Sequence, residues 1–188
     1  MPEELPPLLL NGITLSVSSY EEAERISHLS ESLSRTTRVH IKVDTGMGRL
    51  GLPLKEAFPI IEKMLRLPGI VFEGIYTHFP TAERQDGFAD KQIESFVHLL
   101  LLLEQKGIYF HFRHACNSAG LIHYKHSFLN LARPGLMLYG LYPDTSLKNK
   151  ISLSPILSLK SKIVLLKRLE KGDTVGYGRQ FEISEPTT

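Results

Sequence analysis

Apolar Val39, Ile41 and Val43 alternate with polar His40, Lys42 and Asp44, a period of two that predicts a strand over residues 38–43. The same pattern reading predicts strands at 13–17 (ITLSV), 70–77 (IVFEGIYT), 108–115 and 128–132. Between them the spacing changes to threes and fours. Ser18 or Ser19 can cap a helix from Tyr20 to about Leu33, with Glu21 and Glu22 in its first turn. Phe58, Ile61 and Leu65 mark a helix over 54–67, stopped by Pro68-Gly69. A long helix over 88–106 closes at Gly107, and a short one starts at Ser118.

Strands and helices in strict alternation require parallel strands joined by crossover helices. Five such strands precede Arg133, whereas a complete (β/α)8 barrel takes about 250 residues. The expectation is therefore an α/β fold, a partial (β/α)8 TIM barrel carrying about its last five strands. A complete five-stranded doubly wound sheet is the alternative. Residues 151–169 (ISLSPILSLKSKIVLLKRL) then alternate without an intervening helix, and Gly172-Asp173 turns into TVGYG. That texture predicts the start of an all-β C-terminal domain, giving residues 1–150 as the barrel part and 151–188 as the β part. A chain truncated at both ends is expected.

Composition narrows the picture little further. The 188 residues are 42% hydrophobic and 22% charged with a net charge of +2, values of an ordinary globular protein. Neither a nucleic-acid nor a membrane partner is expected, since no basic tract or 18-residue apolar run occurs. The lone Cys116 excludes an intrachain disulfide framework, and MPEELPPLLL lacks the basic region of a signal peptide, so a cytoplasmic protein is expected. No metal site is predicted.

The candidate chemistry sits where predicted strands end, as in parallel α/β sheets generally. Strand 38–43 runs into KVDTGMGRLG, whose glycines would let the backbone approach a ligand and which carries Lys42, Asp44 and Arg49. The next strand ends in IYTHFPTAE with His78. The one after ends in HACNSAG with His114, Asn117 and Ser118, and the last in ARPGLMLYG with Arg133. Ser118 opens a helix whose first N–H groups lack partners, and Gly135 and Leu136 offer backbone N–H groups beside it. Pro134 holds Arg133 extended, so its side chain is aimed. Each feature alone is an ordinary turn, cap or surface charge; their order along one chain is what adds up.

In that order the strings KVDTGMGRLG, YTHF, HACNSAG, ARPG and VGYGRQF resemble the bacterial alanine racemases, pyridoxal-phosphate enzymes with a TIM barrel and a C-terminal β-domain. The resemblance implies pyridoxal 5'-phosphate as cofactor, with its phosphate held by Ser118, Gly135 and Leu136 after barrel strands seven and eight. It implies that Arg133 faces the pyridine nitrogen, steadied by His78 and His114, with Asn117 in the same shell. Arginine cannot give up its proton, so the ring nitrogen would stay unprotonated and the cofactor would be a weaker electron sink, which suits racemisation. Tyr177 would be one of two catalytic bases, supplied across a homodimer. Arg49 would contact substrate, oriented by Lys42, which some members carry carbamylated.

The resemblance also implies a Schiff-base lysine in a VKANAYGHG-like segment, and no lysine precedes Lys42 in this sequence. The expected function is thus an alanine racemase fragment, inactive alone, whose parent interconverts L- and D-alanine for peptidoglycan. An inactive remnant, or a related fold-type III enzyme such as a serine racemase, is the alternative.

Overall fold

In a computed structural model, residues 4–124 and 129–188 are described. The chain divides into two compact units, Met1–Ile156 and Leu157–Thr188. The first contains α1 (Leu5–Leu10), β1 (Leu15–Val17), α2 (Tyr20–Ser32), β2 (Thr37–Asp44), β3 (Leu52–Pro53), α3 (Leu54–Met64), β4 (Ile70–Tyr76), α4 (Phe88–Gln105), β5 (Phe112–His114) and α5 (Ser118–His123). The strands are ordered β1-β2-β4-β5, all parallel, with β3 paired to the end of β2. Every long strand therefore ends at the same edge of the sheet, as a barrel segment requires.

The alternation seen in the sequence becomes two faces. Val17, Val39, Ile41, Val43 and Ile75 point to the helices and are buried against Ala23 and Ile26 of α2, Ala57, Ile61 and Met64 of α3, and Phe96 and Leu103 of α4. Ser19 caps α2 by accepting from the Glu22 N–H at 3.1 Å. Through the register, Ser16, His40, Gly74 and Phe112 form one row, and Lys42, Tyr76 and His114 the next. This second face is polar. A smaller cluster of Phe79, Ala82, Ala89, Ala115, Cys116, Ala119 and Leu147 anchors the loops beyond the strand ends.

A register shift between Val39 and His40 leaves Glu73 as the extra residue of β4: Phe72 pairs with Val39, and Gly74 with His40. A bulge of one residue reverses which face the following side chains take. Phe72 consequently packs in the apolar core, while Tyr76 joins the polar face.

Several sequence expectations need correction. The strand expected at 108–115 is confined to Phe112–His114, and the helix expected to reach 67 ends at Met64. The strand expected at 128–132 falls partly outside the described residues, and residues 129–132 form no strand. They are attached to β5 instead by Asn130, whose N–H donates to the Arg113 carbonyl at 3.0 Å and whose Oδ1 accepts from the Arg113 N–H at 2.8 Å. A side-chain amide thus takes a place that a ladder bond would fill. The second unit carries a two-stranded antiparallel sheet, β6 (Thr174–Val175) with β7 (Phe181–Glu182), plus a bridge between Leu169 and Thr187. Residues 151–168 form no strand. Their alternation has the form of a half-buried strand, but no described segment pairs with it, and Leu159 and Val164 stand fully exposed. Among the described residues no helix is long and apolar enough to cross a membrane.

Candidate active site

Arg133 is the centre of the strand-end cluster. Its backbone N–H donates to the Cys116 carbonyl at 3.0 Å, which brings the residue beside the end of β5. One guanidinium nitrogen donates to His114 Nδ1. The other donates to the carbonyls of Thr77 at 2.8 Å and Ala115 at 3.1 Å and reaches His78 Nδ1 at 3.3 Å. The guanidinium carbon lies 4.9 Å from the ring centre of Tyr76, a cation–π contact. Tyr76 in turn stacks on His114 at 4.7 Å and 7° and shares a 2.7 Å hydrogen bond with Ser16. No carboxylate pairs with Arg133 among the described residues.

The electrostatics follow from that cage. Burial, then the Arg133 charge, then His40 push the His114 pKa down to about 3. Burial and the charges of Arg133, Lys42 and Arg49 push His78 down to about 4. Both imidazoles are neutral at physiological pH and so can accept from the guanidinium. Burial lowers the Arg133 pKa somewhat, but an arginine starting that high stays charged.

Ser118 and the turn after Arg133 come together as well. The buried Ser118 hydroxyl accepts the Met137 N–H at 3.3 Å. That places it against the 135–137 turn, where the Gly135 and Leu136 N–H groups donate to no acceptor among the described residues. The cap of α5 is Asn117 rather than the serine: its Oδ1 accepts from Gly120 at 2.9 Å while its Nδ2 donates to the Phe79 carbonyl at 3.0 Å. Both ends of that amide are occupied by protein, so Asn117 holds the loops.

Lys42 is buried, yet its ammonium donates to no acceptor among the described residues and sits 6.0 Å from the Tyr76 ring centre. Burial and the nearby Arg49 cation lower its pKa, with Asp44 opposing. Asp44 itself staples the glycine loop. Burial alone would raise its pKa, but hydrogen bonds from Gly46, Gly48 and Met47 at 2.8–3.1 Å outweigh that and lower it. Gly51, at φ +123°, has no room for a side chain, since a Cβ would lie 2.8 Å from the Asp44 nitrogen. Arg49 is exposed. Tyr177 lies in the second unit, flanked by Gly176 and Gly178 at positive φ, with its ring fully exposed.

The alanine racemase N-terminal domain family model matches residues 1–143. The chain belongs to that family. It is 37% identical to the alanine racemase of Desulforamulus reducens over 189 residues, covering 99% of this chain and 51% of that protein. The alanine racemase structure from Clostridium difficile 630 superimposes with a TM-score of 0.88 at 32% identity, covering 99% of this chain and 49% of that one. A Bacillus anthracis alanine racemase with bound L-Ala-P gives a TM-score of 0.84 at 30% identity, over 98% and 48% of the two chains. The chain thus spans about half the length of the curated relatives it matches, and the α/β sheet is the racemase barrel architecture.

Sequence reasoning missed Tyr76, the carbonyls of Thr77 and Ala115, and the His40–Glu73 pair. Tyr76 stands two residues before His78, so strand periodicity alone could have drawn it in. The carbonyls carry no sequence signal, and Gln92 of α4, which donates to the His78 carbonyl at 3.2 Å and Thr45 Oγ1 at 3.0 Å, reads as an ordinary helix residue.

Proposed function

We propose that residues 1–150 form the cofactor-holding part of an alanine racemase, that residues 151–188 begin its β-domain, and that the whole enzyme interconverts L- and D-alanine in the cytoplasm. The observation that carries this reading is the caged Arg133. A permanent cation is fixed by two neutral histidines and two carbonyls at the mouth of a parallel sheet, and among the described residues no carboxylate pairs with it directly.

The residues present fit pyridoxal 5'-phosphate. The N–H groups of Gly135 and Leu136, which meet no acceptor among the described residues, lie beside the Ser118 hydroxyl and suit a phosphate. Arg133 suits an unprotonated ring nitrogen, to which it can only donate. When bound, the cofactor supplies the conjugated ring that takes up the electron pair left as the substrate α-proton departs. Arg133 limits that uptake by leaving the nitrogen unprotonated, and His78, His114, Thr77 and Ala115 keep its donors pointed. Lys42 and Arg49 supply positive charge at and just beyond the end of β2, suited to the carboxylate of an alanine-sized substrate. Tyr177, presented between glycines, takes or returns the α-proton as one of two bases, reaching the site of the partner subunit in a homodimer.

The test is a chimera in which this chain replaces the matching span of the Desulforamulus reducens enzyme. The chimera should bind pyridoxal phosphate and convert L-alanine to D-alanine. A folded chimera that binds the cofactor but does not racemise alanine would overturn the reading.

A further inference from the structure

Beyond the cage itself runs a chain of polar groups that ends on a carboxylate. His114 Nε2 and His40 Nδ1 are 2.8 Å apart, and His40 Nε2 lies 3.5 Å from Glu73 Oε1. Donor and acceptor roles along this chain have only one solution. Arg133 has no acceptor, so His114 must accept at Nδ1 and carry its proton on Nε2. That proton goes to His40 Nδ1, which leaves the His40 proton on Nε2, directed at Glu73. Glu73 is further fixed by the Thr14 hydroxyl at 2.9 Å and by Arg38 at 3.8 Å.

The fold makes room for this arrangement specifically. Glu73 is the bulge residue of β4, and the bulge is what sets Gly74 opposite His40. A Cβ on Gly74 would come within 2.6–2.7 Å of three atoms of the His40 ring, so only glycine leaves space for the imidazole. Phe112, the next residue of the row beyond Gly74, stacks on the imidazole at 5.5 Å. Bulges are retained where they re-aim a side chain or end a pairing, and here one brings a carboxylate to a histidine.

We propose that His40 and Glu73 are positioning residues of this site, fixing the tautomer of His114 and, through it, the donor geometry of Arg133. Hydrogen bonds in a chain polarise one another, so an anion at the far end makes His114 Nδ1 a better acceptor for the guanidinium. The carboxylate thereby balances the Arg133 charge from two rings away without touching the ligand side. The catalytic consequence rests on Arg133 facing the ring nitrogen of the cofactor; the tautomers themselves do not.

Nitrogen-15 NMR of the histidine rings in the intact 188-residue chain, without cofactor, tests the proposal. His40 and His114 should both be neutral with the proton on Nε2, and a scalar coupling should connect His114 Nε2 with His40 Nδ1. His40→Leu should abolish the coupling and speed solvent exchange of the His114 Nε2 proton roughly tenfold, the effect of losing one hydrogen bond. His40→Asn, which returns an acceptor near the Nδ1 position, should restore slow exchange, and Glu73→Gln, whose amide oxygen still accepts, should preserve both tautomers. A His114 proton on Nδ1 in the unmodified chain overturns the proposal whether or not any variant folds. So does unchanged exchange in a folded His40→Leu chain. Correct tautomers together with a chimera that cannot racemise alanine would sink the functional reading and leave this one standing.

Discussion

Lowering the pH from 7 to 5 should destabilise the first unit, because its caged histidines resist protonation while those of the unfolded chain do not. The pKa of His114 is held at about 3 and that of His78 at about 4, against an unfolded value near 6.5. Above 6.5 both states are neutral and the difference vanishes. Below it the unfolded chain binds protons that the native cage refuses, so stability falls as pH drops from 6.5 toward 4. One histidine silent in the native state and ordinary in the unfolded one costs about 2 kcal/mol at pH 5. His114 is almost wholly buried and should show nearly that full amount; His78 is more exposed and should show less. The expected total is about 2–4 kcal/mol, read as a lower urea midpoint at pH 5 than at pH 7 with an unchanged slope. Replacing Arg133 with Met should raise both histidine pKa values only part of the way, since burial is the larger cause in each. An equal midpoint at both pH values, or a His114 ring proton titrating near 6.5, would refute this reasoning.

Ser118→Ala removes one hydroxyl from the proposed anion cradle and should weaken pyridoxal phosphate binding to the chimera by about 1–3 kcal/mol in a fluorescence titration. Gly74→Ala drives a methyl to 2.6 Å from the His40 ring and should cost about 1–3 kcal/mol of stability in urea melts, with the His40–His114 coupling lost. Tyr177→Phe keeps the ring and deletes the hydroxyl proposed as one base, so in the chimera α-proton exchange should collapse from one alanine enantiomer and survive from the other. Equal slowing from both, with cofactor release, would reduce Tyr177 to a structural role.

The legible parts of this protein were those written in local sequence. Periodicity located β2, α2 and α4 within a residue or two, because a strand or helix with one buried face must repeat at its own period. The strand-end residues His78, His114, Ser118 and Arg133 could be named from their strings; the structure gathers the two histidines around Arg133 and sets Ser118 against the turn that follows it. What could not be read depends on partners far along the chain. The alternation at 151–169 looks like a strand, but a strand exists only when something pairs with it. Residues 129–132 are held by the Asn130 side chain rather than by a ladder. The bulge at Glu73 changes parity without any mark in IVFEGIYT, so the reach of Glu73 to His40 could not be derived beforehand.

The protonation state of the cofactor ring nitrogen tests the central claim most directly. In the chimera loaded with nitrogen-15-labelled pyridoxal phosphate, Arg133 should leave that nitrogen unprotonated at pH 7, and Arg133→Glu should shift its resonance to the protonated position. A protonated nitrogen beside Arg133, or one indifferent to the substitution, would contradict the account.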